Sequence, residues 1–264
     1  MTDVIVEASE ATAFIRLNRP HRGNSVTPKV VTEFGSAVVQ ACATDSVRAI
    51  VLTGTGSVFC AGADVQEMHA VFTADGEDGL MDYLSDVWMP AVQQTVRAIW
   101  TAPKPLVAAF NGAATAGGLD FGLACDVRVA ATTARFAESY VNLGMIPVAG
   151  GAFLLPIVVG LSAATELLAS GQLIDAARAH ELKLVDHVCA PDALEARAIE
   201  LATALAHGPS ETFAHLKRIV RSAAAPDFDN ALRASYEANV ELISRPDVRK
   251  CIVAVMERFS RANP

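Results

Sequence analysis

The sequence predicts an α/β fold with a helical C-terminal part, and three patterns point to it. Apolar runs at 47–53 and 106–110 are short and are closed by Gly or by Asn-Gly, as buried strands are. Each run leads through a turn of small residues into a helical segment, so strand–turn–helix units recur around 47–70, 106–125 and 127–145. Beyond Pro191 the pattern is helix alone, with amphipathic segments at 193–205, 210–223, 229–242 and 246–260. A chain of 264 residues with 52% hydrophobic composition can bury one large core and carry an appendage.

In chain order, residues 4–6 and 12–17 form a hairpin around 8–11. Thr27 supplies a helix N-cap and Pro28 a first-turn proline. Val30, Val31, Phe34, Ala37, Val38 and Ala41 follow at helical spacing, to an end near Asp45. After the strand at 47–53, small residues from Gly54 to Ala63 expose backbone amides ahead of a periodic segment opening at Asp64. Between 65 and 100, Met68, Val71, Phe72, Leu80, Met81 and Trp88 are interrupted by Asp75, Gly76, Glu77, Asp78 and Gly79. That pattern reads as two helices around a mobile acidic loop. The strand at 106–110 ends in Asn111 and Gly112, and a helical run over 119–125 follows Gly117 and Gly118.

A turn of this kind leaves the first N–H groups of the helix unpaired and facing open space. Gly117 and Gly118 lack Cβ, so a ligand atom can approach their backbone, and Asp120 sits in the first helical turn. A packing turn with a dipole-compensating Asp would look the same. The second amide source at 54–64 makes a pair, which is what an oxyanion hole requires. His207, Gly208 and Pro209, then Pro226 and Asp227, separate three of the C-terminal helices.

Composition removes other classes. A net charge of −8 and pI near 5.2 argue against nucleic acid and against a polybasic membrane contact. No apolar run approaches the ~20 residues that span a bilayer. The first residues lack the basic and apolar regions of a signal peptide, and five cysteines without CxxC spacing suit reduced thiols, so a cytoplasmic protein is expected. Gly54 and Gly56 begin a dinucleotide fingerprint, but Phe59 stands where its third glycine belongs. No Gly-x-Ser-x-Gly elbow occurs, and the six histidines show no metal-ligand spacing, so no metal is expected.

Phe59, Cys60, Ala61, Gly62, Ala63 and Asp64, paired with Asn111, Gly112, Gly117 and Gly118 and followed by Cys125, Asp126 and Arg128, resemble the crotonase (enoyl-CoA hydratase/isomerase) superfamily. Asn18, Arg19, Pro20, Asn24 and Ser25 match it near the N-terminus. Phe136, Asn142, Gly144, Pro147, Gly150 and Gly151, then Gly160, Gly171 and 175–188, continue the family's order over almost the whole chain. The resemblance implies a crotonase-like spiral of ββα units with the acyl-CoA site over 1–192, and a helical trimerisation region over 193–264. The alternative for that region is a bundle folded on its own core. The expected assembly is a homotrimer or a dimer of trimers, and CoA is expected only as part of the substrate. The acidic loop would lie near the acyl end.

The family polarises a thioester carbonyl with two backbone N–H groups, which by position are those of Ala63 and Gly117. Members that add water carry a glutamate at each of two places, occupied here by Asp120 and Tyr140. Syn hydration needs one group to deprotonate water and another to protonate carbon, and a tyrosine with a pKa near 10 is a poor base. Glu138 could face the same side in an extended stretch, although a surface Glu138 is the favoured expectation. Asp120 matches an aspartate of the dienoyl-CoA isomerases, but their further carboxylates, at the places of Tyr140 and Val148, are missing. The resemblance therefore implies proton transfer (double-bond isomerisation) in preference to efficient hydration, with Asp120 as principal acid/base. The alternatives are a 2-enoyl-CoA hydratase using Asp120 with Tyr140 or Glu138, and a non-catalytic acyl-CoA-binding protein. Ala61, Asp64 and Gly118 would adjoin the substrate, and Arg22, Lys217 and Arg258 the CoA, Arg258 from a neighbouring subunit; each of these cations would equally suit a solvated surface.

Overall fold

The computed structural model describes residues 2–225 and 227–262. Strand β1 (Val4–Ser9) turns through Glu10 and Ala11 into β2 (Thr12–Leu17), a longer and tighter hairpin than expected. Helix α1 (Pro28–Ala43) begins as the sequence indicates, with the Thr27 hydroxyl oxygen accepting the Val30 N–H. Strand β3 (Ala49–Gly54) is buried at every residue, as a parallel strand covered on both faces must be. After β4 (Val58–Cys60) comes α2 (Val65–Asp82), then a π-helical stretch over Tyr83–Trp88 and α3 (Met89–Thr101).

The acidic run at 75–79 corrects part of an expectation. Two helical pieces do meet there, but at a kink confined to Gly76 (φ 75°, ψ −165°) and not around a loop. One residue without a Cβ absorbs the whole kink, and its neighbours continue as helix.

Strands β5 (Leu106–Phe110) and β6 (Ala113–Thr115) precede α4 (Gly117–Leu123), which starts two residues earlier than the run at 119–125 suggested. The chain continues through β7 (Val127–Ala131), β8 (Arg135–Ala137), a 3-10 turn over Ser139–Leu143, α5 (Gly151–Val159) and α6 (Leu161–Ser170). Next come β9 (Ile174–Asp175), α7 (Ala176–Glu181) and β10 (His187–Cys189). The expected C-terminal helices are α8 (Leu194–Leu205), α9 (Ser210–Ala224), α10 (Phe228–Ser244) and α11 (Pro246–Ala262). Pro226, one of their expected boundaries, lies outside the described residues.

The strands sort into two sheets by their place in each ββα turn. First strands build the sheet β1-β2-β3-β5-β7-β10, parallel from β2 onward; second strands build β4-β6-β8-β9, in which only β9 is antiparallel. The sequence did not disclose the second sheet, whose strands of two or three residues carry no readable period. Between the sheets, Phe59, Phe110 and Phe136 pack edge to face, with centroids 4.7 and 5.0 Å apart. On the far face of the larger sheet, Leu194, Ala198 and Ala202 of α8 cover Phe14, Val51, Val107 and Val129. Thus α8 packs on the core sheet. No helix among the described residues is long and apolar enough to cross a membrane.

Candidate active site

The two small-residue turns meet. A methyl group built at Gly62 would lie 3.1 Å from the Thr115 carbonyl oxygen and 3.7 Å from the Gly117 nitrogen. Gly62 has φ 88°, which a side chain would strain, and the Thr115 hydroxyl donates to the Ala61 carbonyl at 3.1 Å. Asn24 and Asn111 hold the first turn: both donate to the Val58 carbonyl, at 2.6 and 3.1 Å, and Asn111 Oδ1 accepts the Gly54 N–H. Ala116, just before Gly117, has φ 48° and ψ −126°, a strained conformation for a residue with a Cβ. Among the described residues, neither the Ala63 nor the Gly117 N–H has a protein acceptor. Two free donors therefore stand on the two turns that meet at Gly62, and an oxyanion hole calls for a pair of such donors.

Beside these amides lies a cavity of about 210 Å³. Ala61, Ala63 and Ala116 line it together with Val65, Met68, Leu84 and Trp88; Ser139, Tyr140, Asn142, Leu143 and Met145 form another wall, and Val255 and Met256 of α11 a third. Met68, Trp88 and Met256 carry no chemical signature in the sequence beyond apolar helical spacing, which reads as core. The acidic run takes no part. Arg249 of α11 pairs with Glu77 and Asp78, at 3.4 and 2.6 Å, away from the lining.

Of the three residues expected to act as acid or base, Tyr140 lines the cavity, and a Cβ at Gly117 would lie 3.3 Å from its hydroxyl. That hydroxyl donates to Asp120 Oδ2 at 3.0 Å. Asp120 itself is fully buried and sits behind the tyrosine. Glu138, expected at the surface, is 1% exposed, with its carboxyl turned toward Asp120. Glu138 is the residue between β8 and the 3-10 turn, next to the buried Phe136 and Ala137, and the turn brings Tyr140 to the same side. Burial, tempered by the Tyr140 hydroxyl, the neighbouring Glu138 carboxyl and the Gly151 backbone, raises the Asp120 carboxyl to about 7. Burial and then the Asp120 charge push Glu138 well above the usual carboxylate range. The same causes push the Tyr140 phenol upward.

The remaining expected contacts divide. Ala61 lines the cavity, and its N–H donates at 3.0 Å to the carbonyl of Gly23; Arg22, beside Gly23 in the chain, is exposed and is not among the lining residues. Asp64 does not line the cavity: it caps α2 through Gln66 and Glu67 and pairs with Arg19 at 2.7 Å. Gly118 is a packing residue, because a Cβ there would overlap the Cys60 carbonyl. Lys217 is buried against Asp126 at 2.8 Å, where desolvation lowers its pKa, and so stands apart from the cavity. Arg258 is exposed on α11 and does not reach the lining.

The chain as a whole is similar to known proteins. A family model described as enoyl-CoA hydratase/isomerase matches residues 7–261. The short-chain-enoyl-CoA hydratase of Clostridium acetobutylicum is 30% identical over 260 residues, covering 98% of this chain and 96% of that one. The 1,2-epoxyphenylacetyl-CoA isomerase of Escherichia coli K12 is 30% identical over 232 residues, covering 88% and 87%. The crystal structure of an enoyl-CoA hydratase from Bacillus halodurans aligns with a TM-score of 0.86 at 26% identity, over 96% of this chain and 100% of that one.

Proposed function

The chain belongs to the enoyl-CoA hydratase/isomerase family, and from that premise we propose that it shifts a double bond in an acyl-CoA thioester by proton transfer through Tyr140. One observation carries this. Tyr140 lines the cavity beside Gly117 and is backed by Asp120, whereas neither buried carboxylate lines it. Hydration would need two groups acting on water and carbon from the cavity wall.

The thioester oxygen accepts the N–H groups of Ala63 and Gly117, donors that are each worth roughly 3–4 kcal/mol in a transition state. As the C–H bond at Cγ breaks, its proton passes to the Tyr140 oxygen while the tyrosine's own proton passes to Asp120 Oδ2. The electron pair delocalises onto the thioester oxygen as a dienolate. Reversal at Cα returns one proton to carbon and one to Tyr140, so the enzyme is restored and the double bond has moved. The apolar lining suits a hydrocarbon acyl group, with Arg22 near the CoA phosphates. Residues 1–192 then provide the catalytic core and 193–264 the assembly region, α11 also closing the cavity through Val255 and Met256.

The test is incubation of short 2-enoyl- and 3-enoyl-CoA thioesters in deuterated water, followed by mass spectrometry. The wild type should isomerise them and place deuterium at Cα and Cγ. Tyr140→Phe and Asp120→Asn should each slow exchange by about 100-fold or more. Undiminished exchange in Tyr140→Phe would remove the tyrosine from the mechanism. Tight binding without any exchange would favour the acyl-CoA-binding alternative.

A further inference from the structure

Once the Tyr140–Asp120 bond is drawn, three oxygens at this site are left over. Asp120 Oδ1 and both carboxyl oxygens of Glu138 are buried without a donor when the two side chains are taken as ionised. Yet Glu138 stands within hydrogen-bonding reach of Asp120. Gly151, the first residue of α5, gauges how close they are: a methyl group there would overlap Asp120 Oδ1 and lie 2.8 Å from Glu138 Oε1. Two ionised carboxylates cannot occupy such a place together, since each only accepts, each loses its hydration, and they repel. The groups facing them are Tyr140 from the 3-10 turn and the Gly151 backbone, with Cys60 of β4 near the tyrosine, and none of these is a cation.

A proton between the carboxyls resolves the conflict, and the donors decide which of them keeps it. Tyr140 and Gly151 both favour charge on Asp120, whereas no donor serves Glu138. We propose that Glu138 is a positioning residue that remains protonated and donates to Asp120 Oδ1, holding Asp120 as the carboxylate that receives the Tyr140 proton. The proposal rests on Tyr140 and Asp120 being the proton-transfer pair. It gives Asp120 a donor on each oxygen, and so a fixed orientation toward the tyrosine. It also makes a glutamate useful in its neutral form.

Two measurements test it. Infrared spectroscopy at about pH 8, above the Asp120 value near 7, should find the carbonyl stretch of a buried protonated carboxylic acid in the wild type. Glu138→Gln should abolish that band, and its absence from the wild type overturns the proposal. This readout needs no turnover, so it stands whatever substrate the enzyme takes. A band that behaves as expected beside absent exchange chemistry would count against the isomerase function and not against Glu138.

The second measurement is the acid limb of kcat/KM against pH. Glu138→Leu removes a donor from the Asp120 carboxylate and should move the limb upward by about one pH unit. Glu138→Gln, whose amide still donates, should bring the limb back to the wild-type position. If Glu138 were an anion, both substitutions would delete a like charge and move the limb downward. If it were packing alone, neither would move it. Either result overturns the proposal.

Discussion

Asp120 was legible as a first-turn carboxylate, but its complete burial was not, and burial is what changes its chemistry. Desolvation raises its carboxyl from the ordinary 3.8 to about 7, so the folded protein binds a proton there that the unfolded chain has released. For a raised pKa, the associated stability is fully present below the unfolded value and is lost as pH rises through the folded one. Relative to Asp120→Asn, the wild type should therefore lose stability between about pH 4 and about pH 7, by an amount on the order of a few kcal/mol, and hold a constant difference above. Glu138, pushed up by the same burial, is present in both proteins, so the difference between them reports Asp120. Urea denaturation across that range checks it, and a difference independent of pH would mean that Asp120 titrates normally in the folded protein.

Helix α9 is secured by a buried ion cluster that joins it to the start of β5. Asp126 accepts from Lys217 at 2.8 Å, from Arg221 at 2.7 Å and from the Leu106 N–H at 2.8 Å, and Arg221 lies 3.9 Å over the Trp100 ring. Family resemblance had placed Lys217 at the CoA. The ion cluster holds it inside because a buried ammonium needs a carboxylate, and Asp126 supplies one at the end of the α4 segment. Removing the carboxylate alone leaves two desolvated cations, so Asp126→Ala should cost about 3–5 kcal/mol in chemical denaturation. A loss under about 1 kcal/mol would show that the cluster relaxes into water and that α9 is held by something else.

On the whole molecule, apolar side chains remain uncovered in patches. Leu216, Ile219 and Val220 on α9 and Leu161 on α6 are all more than half exposed, as is Leu173 just before β9. Contiguous apolar surface of that kind is what a partner chain covers, and with the family resemblance we propose assembly in threes. Light scattering on a chromatographed sample at micromolar concentration should give three or six times the 27.7 kDa chain mass. A stable monomer would rule out the trimer and leave these patches unexplained.

What the sequence determined by itself is whatever depends on neighbours along the chain. Thr27 with Pro28 fixes where α1 begins, the apolar run before Asn111 fixes β5, and the four C-terminal periodic segments fix α8 to α11. Both small-residue turns were readable for the same reason, since each follows a strand and opens a helix, although which of their N–H groups stay free was decided by partners such as Gly23, Val26 and Ala137. Only the tertiary structure decided what depends on which segments meet. It placed Asp120 behind Tyr140 instead of at the cavity wall, turned Glu138 inward, gave Asp64 to Arg19 and Lys217 to Asp126, and brought Met256 from α11 to close the cavity. A side chain's partner, solvation and pKa are set by groups distant in sequence, and those distances are fixed only when the two sheets and the helices over them close on one core.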